Sequence, residues 1–138
     1  HINPVVDLGN AVSLKYTLPM GAHDLKDVTE GISVRMSHAG DTFLPFGGTE
    51  EEILDDGEVV YAAGSQIRTR RWTWRQSQHG EIEPETSYVF FPIDGFTDFN
   101  KAEVLAARDE LEQKLKDVFG CETLVGFLDA EHPEMVWE

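Results

Sequence analysis

Arginine, tryptophan and glutamine are concentrated in one short stretch that runs from Arg70 to Gln76. A tryptophan ring offers a flat wall, a guanidinium forms a fork for carboxylate or phosphate, and glutamine both donates and accepts hydrogen bonds. These side-chain types together predict a binding pocket. The alternative is that Trp72 and Trp74 belong to the core and that the arginines beside them are solvated.

Two further polar clusters could contribute to a site. His23 and Asp24 are adjacent, and a histidine beside an aspartate can titrate near neutral pH and exchange a proton. The same pair is also typical of a surface turn or a cap. Asp94 lies where an apolar strand gives way to a loop, so it is either a site residue or the cap of that turn.

The other common kinds of chemistry leave no trace in the sequence. The five histidines and the single cysteine show no metal-ligand spacing, and no glycine-rich loop of a phosphate-binding type is present. Ser65 and Ser77 lack the small-residue elbow of a nucleophilic serine. We therefore predict no metal and no cofactor.

The charge balance restricts the partners. A formal net charge of −15 over 138 residues repels phosphate backbones and anionic membranes, so DNA and membrane surfaces are not expected partners. The exception is a cluster of four of the 11 basic residues, which either meets an anion or pairs with the many acids. These four are Arg68, Arg70, Arg71 and Arg75. No signal peptide or spanning segment is evident, and the lone Cys121 suits a reducing compartment, which predicts a cytoplasmic location.

Helices are predicted at both ends of the chain. Asn3 and Pro4 form a helix start, and Pro19 and Gly21 end that helix. A second helix begins near Asn100, carries one apolar stripe, and stops at Gly120.

Short strands fill the region between the helices and one more follows them. Each strand candidate has alternating or continuous apolar character and is bounded by turn residues. The candidates are Ile32–Met36, Asp41–Phe46, Glu58–Ala62, Gln66–Trp74, Ser87–Phe91 and Thr123–Leu128. This order predicts an α+β fold with a mainly antiparallel sheet and flanking helices. Within Gln66–Trp74, a period of two places Arg68, Arg70, Trp72 and Trp74 on one face.

Several segments, in their order and spacing, resemble a known family. They are Ile2–Asp7 with Asn10, Leu18–Asp24, Val34–Met36, Gly40–Thr42, Gly48–Glu50, and Thr86 with Val89. This series resembles the B3/4 family, the fold of the editing domain in the β subunit of phenylalanyl-tRNA synthetase. The match extends from Ile2 to about Phe96. The resemblance implies a single B3/4-like domain over residues 1–138 that lacks N-terminal elements of the module.

The resemblance also implies a pocket for the aminoacylated 3′ end of a tRNA. An aminoacyl ester is already activated, so a positioned water and hydrogen bonds to the developing oxyanion can suffice for its hydrolysis. This sequence departs from the synthetase pattern at key positions. Gly21 stands where the family has a histidine, with His23 close by, and Pro92 stands where the family has a glutamate, with Asp94 as the nearest acid. The stretch from Thr69 to Ser77 replaces a glycine-rich strand and resembles free-standing family members.

These comparisons leave three interpretations open. The leading one is a free-standing editing-like protein that binds aminoacyl-tRNA and, as an RNA-binding hydrolase, deacylates it. Its expected catalytic residues are His23 and Asp94. Its expected substrate-binding residues are Asp24, Arg71, Trp72, Trp74, Arg75 and Gln76. The alternative is a non-catalytic module that binds a free amino acid or another small zwitterion, and the third interpretation is a structural or assembly domain.

Overall fold

The computed structural model describes residues 3–137, so Ile2, the first residue of the family-like helix segment, lies outside the described residues. The chain divides into two compact units. The helical unit contains the residues up to Met20 and those from Pro92 onward, and the sheet unit contains Gly21–Phe91. The α+β class with a mainly antiparallel sheet is confirmed.

The helical unit is built on two packed helices, α1 (Pro4–Tyr16) and α2 (Lys101–Phe119). The Asn3 side chain accepts a hydrogen bond from the Val5 amide at 2.9 Å, which confirms the predicted cap. α1 ends earlier than predicted, because Thr17 adopts a left-handed conformation that closes the helix before Pro19. Apolar side chains from both helices are buried, namely Val12, Val104, Ala107 and Leu111.

The strand predicted at Thr123–Leu128 is wrong. No strand is formed between Cys121 and Asp129, and most of the side chains there are exposed. An apolar alternating pattern requires a neighbouring strand for its backbone hydrogen bonds, and residues 121–129 pair with no other described strand.

The sheet unit contains eight short strands. They are β1 (His23–Asp24), β2 (Ser33–Met36), β3 (Thr42–Phe43), β4 (Glu52–Ile53), β5 (Val59–Ala63), β6 (Gln66–Arg70), β7 (Arg75–Gln76) and β8 (Val89–Phe90). The main sheet has the order β2-β5-β6-β3-β4, with β7 also paired to β6, and only the β3–β6 pair is parallel. β1 and β8 form a separate antiparallel pair in which His23 faces Phe90. The core consists of Phe43, Leu54, Val60, Ala62 and Ile67.

The long strand predicted over Gln66–Trp74 is interrupted. β6 stops at Arg70, a turn occupies residues 71–74, and β7 returns antiparallel to β6. Arg71 and Trp72 have φ angles of 46° and 63°, and such left-handed backbone cannot continue a strand. The predicted shared face for Arg68, Arg70, Trp72 and Trp74 is therefore wrong.

Candidate functional site

The turn between β6 and β7, residues Arg71–Arg75, is called here the basic turn. Left-handed backbone costs a non-glycine residue about 1–2 kcal/mol, and here two such residues follow one another. Hydrogen bonds hold the strained backbone: the Trp72 amide donates to the Val59 carbonyl at 2.7 Å, and the Trp74 amide donates to the Arg70 carbonyl at 3.1 Å. The conformation is thus maintained by the sheet, and strain of this kind is often found at functional sites.

Within the basic turn, two arginines lie against one tryptophan ring. The guanidinium carbons of Arg71 and Arg75 are 4.5 Å and 5.1 Å from the centroid of the Trp74 ring. Half of Trp74, 52%, is nevertheless exposed to solvent. Cation–π contacts of this type orient the guanidinium groups while leaving their N–H donors available. We call Arg71, Trp74 and Arg75 the arginine–tryptophan stack.

Positive charge is unevenly compensated along this segment. Arg70 is paired, because its guanidinium contacts Glu58 at 3.0 Å and Glu52 at 2.8 Å. Arg71 contacts Glu58 at 3.3 Å, and the hydrogen bonds from both arginines, that of Arg70 foremost, lower the pKa of the Glu58 carboxyl. Within residues 3–137, the contact recorded for the Arg75 side chain is the one with Trp74. The free positive charge therefore lies at the Arg75 side of the stack.

Trp72 and Gln76 are the other two predicted site residues of this segment. The side chains of Trp72 and Gln76 are half-buried, and that of Trp74 is exposed. Neither tryptophan of the segment is therefore a fully buried core residue. The Gln76 amide donates to the Ala22 carbonyl at 2.6 Å. This bond ties the end of the basic turn to the backbone immediately before His23.

His23 is buried, with 1% of its surface exposed, and its ring stacks between those of Tyr61 and Phe90 at centroid distances of 6.2 Å. Burial, and secondarily the positive charge of Arg68, lowers the His23 pKa from 6.5 to about 4. The imidazole is therefore neutral at physiological pH. Its Nδ1 has no hydrogen-bond partner among the described residues.

The two acids predicted for the site differ in their surroundings. Asp24 accepts hydrogen bonds at both oxygens, from the Lys26 amide at 2.8 Å and from the Thr86 hydroxyl at 2.6 Å, so it caps a local turn. Asp94 belongs to the helical unit, where its amide donates to the Pro19 carbonyl at 3.2 Å. The sheet unit thus contains every predicted site residue except Asp94. The catalytic and binding roles themselves stay predictions.

The burial of Arg68 is a feature of the site that the sequence does not reveal. Arg68 is 3% exposed, whereas the pattern grouped it with its neighbours as one cluster. The nearest signal in the sequence is Gly80, which has a φ of 84° and packs so closely that a Cβ there would lie 2.2 Å from Arg68 Nη1. A lone glycine in a polar loop does not reveal which side chain it accommodates.

No cluster of three or more metal-ligating side chains occurs among residues 3–137. Neither α1 nor α2 has the length and apolar character needed to cross a bilayer, again within the described part of the chain.

Comparison with known proteins decides the family. The sequence model of the B3/4 domain matches residues 1–116. The chain belongs to the B3/4 domain family. The resemblance inferred from the sequence segments is thereby confirmed.

Curated relatives of this B3/4 chain include phenylalanine–tRNA ligase β subunits. The subunit from Vibrio parahaemolyticus is 42% identical over 59 residues, which is 43% of this chain and 7% of the relative. The subunit from Mycobacterium leprae is 32% identical over 49% of this chain and 10% of its own length, and that from Fusobacterium nucleatum is 28% identical over 72% and 12%. The chain therefore spans about a tenth of the length of these relatives.

A solved structure agrees on the fold. An N-terminal fragment of the phenylalanyl-tRNA synthetase β subunit from Pyrococcus horikoshii superimposes with a TM-score of 0.65 at 14% identity. The superposition covers 82% of this chain and 39% of that fragment. At 14% identity the structural similarity supports the assignment of the fold alone. Function has to be argued from the residues of the site.

Proposed function

We propose that this B3/4 chain binds the aminoacylated 3′ end of a tRNA through the basic turn. The observation that carries the proposal is the arginine–tryptophan stack, in which two guanidinium groups contact one indole that is half exposed. Its relatives are named as subunits of a ligase that acts on tRNA, which supplies the substrate class.

The chemistry of a single-stranded RNA end matches the stack. Unpaired bases stack on exposed aromatic rings, and arginine contacts both the π faces and the phosphates. The exposed face of Trp74 would receive a base, and Arg75 would contact the adjoining phosphate. Because the chain as a whole carries a net charge of −15, contact would be confined to this local patch and would weaken steeply as salt is added.

Hydrolysis of the bound ester is the finer part of the proposal. A neutral imidazole can accept a proton from water, and His23 is neutral at physiological pH, but the burial that lowers its pKa to about 4 also makes it a weak base. Its burial means that water or substrate would reach the ring only through local opening, which would also raise the pKa of His23 towards its ordinary value. Gln76 would hold the segment before His23 in place.

The binding proposal is tested by titrating a labelled aminoacylated tRNA against the wild-type chain, Trp74→Ala and Arg75→Ala. Loss of stacking costs about 1–3 kcal/mol, which predicts roughly 5- to 150-fold weaker binding for Trp74→Ala. For Arg75→Ala we expect weaker binding and a salt slope reduced by about 0.7, the loss of one single-strand phosphate contact.

Arg108→Ala is the matched control for removing one positive charge, since Arg108 lies in α2 and pairs with Asp109. It should leave tRNA affinity within about twofold. Equal weakening by Arg75→Ala and Arg108→Ala would reduce the effect to net charge and contradict a role for the basic turn.

The hydrolysis proposal is tested separately by incubating a panel of mischarged tRNAs with the chain at neutral pH. We expect release of the amino acid from at least one tRNA, and a large loss of that activity in His23→Phe, which preserves the ring stack. Binding without hydrolysis across the panel would reject catalysis and leave the binding proposal in place.

A further inference from the structure

A small cavity lies in the sheet unit on the β5–β6 side. It has a volume of about 150 Å³ and is lined by the loop from Asp27 to Gly31, the β5–β6 turn at Ala63 and Gly64, and the side chains of Gln66 and Arg68. A cavity of roughly this volume admits benzene in an engineered protein, and alanine has as many non-hydrogen atoms as benzene. The space therefore suits a ligand of that size.

Arg68 is the one buried charged residue among those that line this cavity. Its side chain is almost fully buried, and its Nε has no hydrogen-bond partner among the described residues. The bond recorded for its guanidinium is a long one, 3.4 Å from Nη1 to the Asp24 carbonyl. Gly80 packs directly against Nη1, so this end of the guanidinium is fixed in position.

A buried guanidinium in this state lacks the partner that arginine normally requires. Arginine is a rigid fork of five donors, and buried charges are usually paired with a carboxylate. The carboxylates of Asp27 and Asp24 act on Arg68 as charges at a distance and not through hydrogen bonds. Burial outweighs them and lowers the pKa of Arg68, which indicates that the local acids do not fully compensate the charge.

Acidic groups lie among the other lining residues of the same cavity. Asp27 and Glu30 line the loop side and are exposed, and Glu30 reaches towards the β5–β6 turn, since a Cβ at Gly64 would lie 3.9 Å from its Oε2. The cavity therefore presents a buried positive group and exposed negative groups. A ligand that satisfies both must itself carry a negative group and a positive group a short distance apart.

We propose that this cavity binds a small free α-amino acid of about the size of alanine. Its carboxylate lies on the Arg68 guanidinium, and its ammonium group faces Asp27 and Glu30. An aminoacyl ester has lost the carboxylate charge, so Arg68 selects the free amino acid over the esterified one. The site shares no residue with the basic turn and does not depend on RNA binding.

The test is calorimetric titration of the intact chain with alanine, alanine methyl ester, propionate and ethylamine, followed by mapping of amide NMR shifts. A hydrogen bond between charged groups contributes about 1.5–3 kcal/mol, so we expect the methyl ester and ethylamine to bind at least about 10-fold more weakly than alanine. Propionate should also bind more weakly, because it lacks the ammonium group. The shifts should centre on residues 27–31 and 63–68.

Variants on both sides of the cavity separate binding from folding. The exposed acids are changed first, as Asp27→Asn and Glu30→Gln, because these substitutions leave the interior intact. Each should weaken alanine binding several-fold without moving the unfolding midpoint. Arg68→Met should abolish binding, and Arg108→Met is its control, since Arg108 lies in α2 and does not line the cavity.

The proposal is overturned if alanine and its methyl ester bind equally, if Asp27→Asn and Glu30→Gln bind alanine as the wild type does, or if the shifts map to the basic turn. Loss of tRNA binding in the Trp74→Ala variant with alanine binding unchanged would show that the two sites are separate.

Discussion

Arg68 and Arg75 are seven positions apart in one strand–turn–strand segment, yet the protein treats their charges in opposite ways. Arg75 is exposed, lies against an indole ring, and keeps its donors in solvent. Arg68 is buried and has an Nε without a partner in the described part of the chain. Exposure, and not residue type, decides which of them is free to meet a long polyanion and which is suited to a small anion.

A third arginine provides the reference for this comparison. Arg35 forms a two-pronged bond with Asp41, with Nη1 at 2.7 Å from Oδ2 and Nη2 at 2.8 Å from Oδ1. Asp41 is completely buried and also accepts from the His38 amide at 2.9 Å. The sheet unit thus contains two satisfied guanidinium–carboxylate pairs, Arg35 with Asp41 and Arg70 with Glu58, and one buried guanidinium without such a pair.

The largest effect on stability should come from breaking the pair between Arg35 and Asp41. Asp41→Ala leaves Arg35 without its carboxylate and the His38 amide without its acceptor, so we expect the free energy of unfolding to fall by about 3–5 kcal/mol. Urea denaturation measures the loss. The control is Asp55→Ala at an exposed aspartate, which should stay within about 0.5 kcal/mol of the wild type. A small loss in Asp41→Ala would mean that Arg35 does not need its partner.

The next largest effect is the pH dependence of stability that arises from His23, the neighbour of Arg68. The folded-state pKa of about 4 lies below the ordinary 6.5, so the unfolded chain binds the extra proton more readily. Stability from this group is complete above pH 6.5 and is lost as pH falls towards 4, by about 3 kcal/mol in total.

Other acids titrate in the same range, so the informative quantity is the difference between the wild type and His23→Phe. The wild type should lose stability faster than the variant between pH 6.5 and 4. Parallel curves for the two proteins would contradict the burial of a neutral imidazole beside Arg68.

Substitution of Arg68 should change the free energy of unfolding by a smaller amount, and should raise it instead of lowering it. Because its buried charge lacks a bonded carboxylate, Arg68→Met should raise the free energy of unfolding by about 1 kcal/mol in the absence of ligand. Thermal or urea denaturation at neutral pH measures it. Destabilisation as large as that of Asp41→Ala would show instead that Arg68 has a satisfied structural role.

The smallest change in the free energy of unfolding should follow substitution of the exposed Arg75. An exposed cation–π contact contributes about 0.5–1 kcal/mol, so Arg75→Ala should lower stability by no more than that. A loss of several kcal/mol on denaturation would place Arg75 among the structural arginines and remove the contrast with Arg68.

The sequence predicted the elements with strong local signals and missed those set by tertiary context. Asn3 and Gly120 mark the start of α1 and the end of α2 because capping is local chemistry. Asn100 occupies the predicted cap position of α2, but its side chain accepts from the Phe96 amide instead of capping the helix. The class of fold and the family followed from many such local segments in order.

The site was harder to predict for two physical reasons. A period of two continued the strand to Trp74, because nothing in the residue types at Arg71 and Trp72 announces left-handed backbone, which glycine or asparagine usually adopts. Burial of individual arginines is equally invisible locally. The difference between Arg68 and Arg75 arises from which loops cover each side chain, and the packing of Gly80 on Arg68 is one example.

The two left-handed residues of the basic turn have an evolutionary consequence. Glycine would relieve the steric cost at Arg71, whose side chain is exposed, so a selection for thermostability alone should recover Arg71→Gly. Arg71→Gly would also delete one face of the stack. Thermal stability would then favour glycine at position 71, whereas ligand binding would favour arginine. Homologues that retain arginine at this position would be those in which selection for binding outweighed selection for stability.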